Sequence, residues 1–196
     1  MQHGRLPWLR PDELSPDQRA LYDKVATSPR ATSRPTPLTD SQGRLNGPFN
    51  AMLTNPGLGD ALQAVGTALR GSGTLPRVTF EVIVLIVAVE RGASYEWYAH
   101  EPLARIAGLT DAHVKAIRER RYFDLVPIAN RALIELVQAS LRHEQPGESS
   151  VREVEAVYGV GGVTQVVMTV AFYDLLSTLM RTWDSPLPEG VANPLA

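Results

Sequence analysis

Apolar residues recur every three or four positions along most of this chain, which is the period of an amphipathic α-helix. Helices are predicted over residues 56–70, 124–144 and 163–181, where the apolar positions follow this spacing most closely. Shorter helices are predicted after Gly92 and after the capping residues Ser15, Thr110 and Ser149 or Ser150. The pattern therefore predicts an all-α fold.

The apolar run at residues 82–89 does not by itself distinguish a helix from a strand. Its sequence, VIVLIVAV, is rich in β-branched residues and suits a buried strand. The surrounding segment, residues 76–90, is long for a strand and fits a buried central helix equally well. Both alternatives stay open on the pattern alone.

The organisation of the chain follows from its length and its turn residues. A chain of 196 residues is most simply one domain. Residues 1–46 are predicted to form an N-terminal arm with one short helix and a proline-rich loop, residues 47–181 a single helical domain, and residues 182–196 a tail without regular structure. The loop at residues 28–46 is long enough for either disorder or a functional flap.

Composition and charge exclude several classes of function. The 19 basic and 21 acidic side chains give a net charge of −2, which argues against binding to nucleic acid. The longest uninterrupted apolar run has eight residues, whereas a membrane-spanning helix needs about 20, and the N-terminus has no signal-like apolar segment. We therefore expect a soluble, cytoplasmic protein without a nucleic-acid or membrane partner. The absence of cysteine excludes a structural disulfide, a thiolate nucleophile and a peroxidatic thiol.

A candidate acid–base site lies between Glu81 and His100. Glu96 and His100 are four positions apart, so a helix places both on one face. A carboxylate beside an imidazole is a common arrangement for proton transfer. Glu81 begins the most apolar segment of the chain, where an unpaired carboxylate is costly to bury. The alternative is an ordinary surface pair, with Glu81 near water. The other histidines are expected to be solvated: His3, His113 and His143.

The stretch FEVIVLIVAVERGASYEWYAHEPLARIAGLT resembles the core of the carboxymuconolactone decarboxylase family, which includes the alkylhydroperoxidase D-like proteins. The family pattern is a glutamate in one helix, followed by a helix that opens with C-x-x-C-x-x-x-H in the redox branch. In this chain Glu81 and His100 occupy the glutamate and histidine positions. Ala93 and Glu96 occupy the two cysteine positions.

The resemblance is close over residues 76–121 and extends over residues 47–181. It implies an alkylhydroperoxidase D-like helical bundle, in which residues 82–89 form a helix. The redox members that this chain resembles reduce peroxides through a cysteine pair relayed by glutamate and histidine. A chain without cysteine cannot perform that chemistry, so a thiol peroxidase is excluded.

The decarboxylase branch of the family carries a glutamate at the position of Glu96 and the same histidine downstream. The resemblance therefore implies a cofactor-free acid–base enzyme, a lyase acting on a small carboxylated lactone or another enolisable acid, as in aromatic catabolism. His100 is the candidate general acid, Glu96 its orienting partner, and Glu81 a second proton relay or a polarising group. Carboxylate and imidazole groups could hold a divalent ion, but the resembled family works without metal, so no metal and no cofactor are expected.

Four further residues are candidate substrate-binding groups. Tyr95 and Trp97 flank the acid–base pair and could wall an apolar pocket, although aromatic residues on helices are often core or subunit contacts. Phe49 and Asn50 follow a Gly-Pro turn and could reach the site. The competing hypothesis is a non-catalytic ligand-binding or assembly protein, derived from a redox-family ancestor that lost both cysteines.

The helix predicted over residues 163–181 has more apolar positions than one buried face can hold. Members of the resembled family form closed trimers and hexamers. We therefore expect a homo-oligomer, a trimer or hexamer first and a dimer second. Its contacts are expected to include aromatic residues such as Trp8, Trp97 or Phe172.

Overall fold

A computed structural model describes residues 1–28, 31, 34–71 and 73–196. In this part of the chain helices dominate, and the strands are limited to one antiparallel ribbon of β1 (Gln2–His3) with β2 (Leu6–Pro7). The predicted all-α fold is confirmed. Four positions of the predicted proline-rich loop, 29, 30, 32 and 33, lie outside the described residues.

The helix starts at Ser15 and Thr110 follow the prediction. Each of these side chains accepts a hydrogen bond from the backbone N–H three residues later, which is the function of an N-cap. Two short 3₁₀ turns occupy Pro11–Glu13 and Tyr122–Leu125. The α-helices in chain order are α1 (Pro16–Ala26), α2 (Pro48–Met52), α3 (Pro56–Gly71), α4 (Arg77–Arg91), α5 (Ser94–Ile106), α6 (Asp111–Arg118), α7 (Arg131–Leu141) and α8 (Glu148–Thr182).

The apolar run at residues 82–89 lies inside α4 and is therefore a helix, as the family resemblance implied. Every residue from 79 to 89 is buried, because this helix is covered on all of its faces rather than along one stripe. Gly92 ends α4 in a left-handed conformation with φ of 61°, which glycine adopts without steric cost. After Ala93 the chain enters α5, and α5 packs against α4.

The prediction of one helix over residues 124–144 is wrong. A 3₁₀ turn is followed by a cis peptide bond between Val126 and Pro127, and α7 begins only after these residues. Pro127 has no backbone N–H and so cannot continue a helix at this position. Asn130 starts the new helix, since its side chain accepts a hydrogen bond of 2.8 Å from Leu133 N–H.

The two helices predicted at the C-terminal end of the chain meet in α8. The backbone of Gly159, with φ of 74° and ψ of 172°, is not helical and separates the two parts at a kink. The first part begins at Glu148 rather than after a serine cap. Ser150 is buried and donates a hydrogen bond of 2.6 Å to Glu135 instead.

By length and composition, α8 could cross a membrane, with a mean hydropathy of 1.4 over its most apolar window. Half of that window is buried within the protein, as in the core helix of a globular domain. Glycine, threonine and glutamine interrupt this window, so it contains no long uninterrupted apolar run. Length and composition therefore do not distinguish a membrane segment from a core helix here.

The chain divides into two compact units. The first comprises Met1–Gly66 with Thr178–Pro194 and Ala196, and the second comprises Thr67–Ser177 with Leu195. The second unit contains α4, α5, α6 and α7 and with them the three candidate acid–base residues. The single helical domain predicted over residues 47–181 stays a prediction.

In the first unit, a buried histidine holds the N-terminal arm. His3 is 1% exposed, and its Nε2 accepts a hydrogen bond of 3.1 Å from Gly47 N–H. The His3 ring packs against Trp8 with the ring centroids 4.7 Å apart. The Arg44 guanidinium, which is paired with Asp40, lies 3.8 Å from the centre of the Trp8 ring. The expectation that His3 is solvated is wrong, because the β-ribbon folds the arm onto the segment before α2.

The structure predicts a stability loss in mild acid that depends on His3. Burial lowers the pKa of His3 from 6.5 to about 4, with Arg44 adding to the effect and Asp40 opposing it. Between pH 6.5 and about 4, His3 is protonated in the unfolded chain but neutral in the folded protein. The free energy of unfolding therefore falls as the pH drops through this range. His3→Gln keeps an acceptor for Gly47 N–H but does not titrate, and should lack this contribution.

Thermal unfolding over a pH series measures the effect. The melting temperature of the wild-type protein should fall more steeply in this window than that of His3→Gln. Each kcal/mol of difference in the free energy of unfolding should appear as about 2–4 °C of difference in melting temperature. Parallel curves for the two proteins would contradict the prediction.

Candidate functional site

Glu81, Glu96 and His100 converge in the second unit. Glu81 Oε2 lies 2.8 Å from His100 Nδ1, a hydrogen-bond distance, and Glu96 Oε2 lies 3.6 Å from Nε2 of the same ring. All three residues are buried, with exposures of 0%, 3% and 1%. The structure thus brings together the three residues that the sequence singled out, while their catalytic role stays a prediction.

The packing of α4 against α5 sets this geometry. Glu81 lies in the second turn of α4 and His100 in the second turn of α5, 19 residues apart in sequence. The connection of only two residues, Gly92 and Ala93, returns the chain directly alongside α4. Glu96 and His100 share a face of α5 because four residues make about one helical turn.

The two glutamates contact His100 differently from the sequence-based prediction. Glu96 was expected to orient His100, but the imidazole donates its Nδ1 hydrogen bond to Glu81. The i,i+4 spacing on one helix leaves the Glu96 carboxylate 3.6 Å from Nε2, whereas Glu81 approaches the ring from the facing helix. Glu81 therefore fixes the ring, and Glu96 faces its second nitrogen.

Two arginines extend the cluster of charges. Arg77 Nη2 lies 2.5 Å from Glu81 Oε1, and Arg70 acts on the same carboxylate electrostatically. Burial by itself would raise the pKa of Glu81. The charge and hydrogen bond of His100, followed by Arg77 and Arg70, outweigh that effect and hold the pKa of Glu81 below its usual value. Glu81 is therefore an ionised carboxylate within an apolar helix.

Tyr173 of α8 is a neighbour of His100 that sequence reasoning missed. Its ring meets the imidazole edge-on, with the centroids 5.1 Å apart and the planes at 84°. Phe80 and Phe172 pack edge-to-face against the same tyrosine ring. A tyrosine in an apolar helix is typical of core, so no sequence signal marked it. In the structure it confines the imidazole on the side of α8.

Two of the predicted substrate-binding residues, Tyr95 and Trp97, are buried in α5. The Tyr95 ring lies 6.0 Å from that of Tyr98. Trp97 Nε1 donates a hydrogen bond of 2.5 Å to Glu101, and the Arg118 guanidinium lies 5.1 Å from the centre of its ring. Trp97 thus has partners of its own on α5 and α6. The substrate-binding role of both residues stays a prediction.

The other two, Phe49 and Asn50, belong to α2 in the first unit and are buried there. Asn50 Nδ2 donates a hydrogen bond of 3.1 Å to the carbonyl oxygen of Pro7, which ties α2 to β2. A role for these two residues in substrate binding also stays a prediction.

The carboxylates of the cluster are paired with other side chains rather than spaced as metal ligands. Glu81 contacts both His100 and Arg77. Across residues 1–28, 31, 34–71 and 73–196, no group of three or more His, Asp or Glu side chains is arranged to hold a metal ion. The expectation of a metal-free and cofactor-free site stays a prediction.

Comparisons with known proteins agree with this architecture. Residues 56–138 match the model of the carboxymuconolactone decarboxylase family. In structure the chain is similar to a protein of Ralstonia eutropha JMP134 described as an alkylhydroperoxidase AhpD core, an uncharacterized peroxidase-related protein. The TM-score is 0.74, over 96% of this chain and 94% of that one. The two are 18% identical, so this likeness shows the fold alone. A search of curated proteins finds no match.

Fold and site together define an AhpD-like helical protein whose candidate chemistry rests on carboxylates and an imidazole. The match of residues 56–138 to the model of the carboxymuconolactone decarboxylase family agrees with the resemblance seen in the sequence. By that resemblance, the two cysteine positions of the redox branch correspond to Ala93, just before α5, and to Glu96. Because the chain contains no cysteine, the thiol chemistry of that branch is not open to it.

The pairing of Glu81 predicts a second pH-dependent contribution to stability. Glu81→Gln removes the buried charge and should lower the free energy of unfolding by about 2 kcal/mol at neutral pH. The folded-state pKa lies below the usual value of 4.5, so the contribution is present above about pH 4.5 and is lost as the pH falls toward the folded-state value. The difference between wild type and Glu81→Gln should therefore shrink in acid.

Chemical unfolding at neutral pH and near pH 3.5 measures this difference. Glu148→Gln is the control, because Glu148 also pairs with an arginine four residues away but is exposed, and it should change stability by less than about 0.5 kcal/mol. A Glu81→Gln deficit that stays constant across the pH range would refute the prediction.

Proposed function

We propose that this protein is a cofactor-free acid–base enzyme, a lyase that decarboxylates a small carboxylated lactone or another enolisable acid. The observation that carries the proposal is the position of His100 between two buried carboxylates. One ring nitrogen is hydrogen-bonded to Glu81, which leaves the other nitrogen to exchange a proton with a substrate. The name of the family whose model matches residues 56–138, carboxymuconolactone decarboxylase, supports decarboxylation as the reaction class.

In the proposed reaction, the carbon–carbon bond to the carboxylate breaks and CO2 leaves. The electron pair of that bond stays on the substrate as an enolate-like anion, and His100 Nε2 delivers a proton to the carbon. One proton thus replaces one CO2. The ionised Glu81 stabilises the imidazolium that donates the proton, by the same interaction that lowers its own pKa. After this transfer, Glu96, whose carboxylate lies 3.6 Å from Nε2, passes a new proton to the His100 ring.

One observation favours a second candidate function. Glu81, Glu96 and His100 are all buried, and a buried network of paired polar groups can also serve only to specify a fold. In that case the protein is a non-catalytic ligand-binding or assembly protein derived from a redox-family ancestor. The two functions differ in whether loss of the titratable imidazole abolishes turnover.

His100→Asn separates the two functions. Asparagine keeps a donor near the Nδ1 position, and with it the hydrogen bond to Glu81, but cannot carry the transferred proton. A screen of small carboxylated lactones and β-keto acids for CO2 release identifies a substrate for the wild-type protein. On that substrate, His100→Asn should lose at least about 100-fold in kcat, with an unchanged circular dichroism spectrum.

The matched control is His143→Asn. His143 is exposed and has a left-handed backbone with φ of 56°, which asparagine tolerates. This variant should turn over at the wild-type rate. Retained turnover in His100→Asn would remove His100 from the mechanism, and no CO2 release from any acid of the screen would favour the non-catalytic function.

We further propose a cytoplasmic homo-oligomer, a trimer or hexamer first and a dimer second, that acts on a small molecule without a nucleic-acid or membrane partner. Exposed apolar side chains on α8 support assembly. Beyond the kink at Gly159 they fall on one stripe of the helix at 100° per residue. Trp97 and Phe172, predicted as contact residues, are buried within the chain and cannot supply this surface. The exposed stripe consists of Val160, Val167, Met168 and Leu175.

Light scattering at micromolar concentration tests the assembly. The wild-type particle should have three or six times the chain mass of 21.4 kDa, and Met168→Glu should dissociate it, because a charge would be buried in an apolar contact. Ile106→Glu, which places the same charge on an exposed position at the end of α5, should leave it intact. A wild-type particle near 21.4 kDa overturns the proposal.

A further inference from the structure

Arg77 connects the buried cluster with solvent. Its side chain is 42% exposed, whereas that of Glu81, which it contacts at 2.5 Å, is 0% exposed. Arg77 is the first residue of α4, and its guanidinium lies 5.2 Å from the centre of the Phe80 ring. A solute that approaches Glu81 and His100 from this side therefore meets Arg77 first.

Part of the hydrogen-bonding capacity of this guanidinium remains for a ligand. Arg77 contacts Glu81 Oε1 through Nη2, and its side chain makes no further hydrogen bond to the described residues. Arg91, in the last turn of the same helix, behaves differently. It donates hydrogen bonds of 2.6 and 3.2 Å to the two carboxylate oxygens of Asp174. The planar donor fork of Arg77 is thus available for a similar pair of oxygens.

The charges around Arg77 favour a ligand that carries a single negative charge. Glu81 and Glu96 repel an anion, and the positive charges of His100, Arg77 and Arg70 near Glu81 offset that repulsion. A carboxylate brings one charge and two oxygens in one plane, which match the guanidinium fork. A phosphate dianion brings twice the charge and faces twice the repulsion. The site therefore favours a carboxylate.

We propose that Arg77 binds the carboxylate of the substrate acid at the solvent-facing edge of the Glu81, Glu96 and His100 site. The proposal rests on the proposed function, and it adds a specificity-determining residue to it. A carboxylate held by Arg77 lies next to Glu81, which is hydrogen-bonded to His100. The contact is strongest before CO2 leaves, because the carboxylate loses its negative charge as it becomes CO2. Loss of the contact should therefore raise KM without a matching fall in kcat.

Calorimetric titration with furan-2-carboxylate and furan-2-carboxamide tests the proposal without a known substrate. The two probes share a five-membered ring and differ in charge. The wild-type protein should bind the carboxylate at least about tenfold more tightly than the carboxamide, as expected for a charge-assisted bidentate pair. Arg77→Gln should lose that preference. Arg77→Lys, which keeps the charge but not the fork, should keep only part of it.

Arg131→Gln is the matched control. Arg131 is also the first residue of its helix, has a glutamate four positions later and lies over a phenylalanine ring, but the side chain of its partner Glu135 is 41% exposed rather than fully buried. This variant should bind both probes like the wild type. The proposal would be overturned if the wild type bound the two probes equally, showed no saturable binding of the carboxylate, or bound inorganic phosphate more tightly. It would also be overturned if folded Arg77→Gln or Arg77→Lys kept the preference unchanged.

Binding and turnover together distinguish failure of this proposal from failure of the proposed function. If Arg77 binds the carboxylate, the preference for furan-2-carboxylate over furan-2-carboxamide should depend on Arg77 whether or not any substrate is turned over. Carboxylate binding that depends on Arg77 without CO2 release supports the binding site and not the lyase. CO2 release with unaltered KM in Arg77→Gln supports the lyase and not the binding site.

Discussion

The second unit depends on the burial of one carboxylate. Glu81 lies in a helix whose following residues are apolar and fully buried, and a charge in such surroundings is stable only when it is paired. His100 supplies that pairing from α5, and Arg77 supplies it from the preceding turn of α4. The pairing also fixes the alignment of the two helices, because a slip of one turn would move the partners about 5.4 Å apart.

This chain and a peroxidase-related protein share a fold although few of their residues are identical. The likeness in structure extends over nearly the whole chain at 18% identity, so the packing of the helices is kept while the side chains change. At the first redox position Ala93 offers no reactive group, and at the second Glu96 offers a carboxylate. A thiol-based reaction is therefore not open to this chain, and the proton transfer that we propose depends on the carboxylates and the imidazole that are present.

Burial, rather than the local motif, distinguishes the candidate site from an ordinary surface. Arg131 and Glu135 repeat the arrangement of Arg77 and Glu81, with an arginine that opens a helix, a glutamate four residues on, and a phenylalanine under the guanidinium. The Glu135 side chain is 41% exposed, whereas the carboxylate of Glu81 is fully buried and depends on charged neighbours. The same spacing thus gives a surface pair in one place and a buried cluster in the other.

The sequence by itself determined the helical class, most helix starts, the absence of thiol chemistry and the three residues of the cluster. These features depend on local periodicity, on capping side chains and on residue type. The tertiary structure decided that Glu81 rather than Glu96 binds the imidazole, that Tyr173 confines it, and that His3 is buried. Each of these contacts joins residues far apart in the chain, and only the packing of separate elements sets the distance between them.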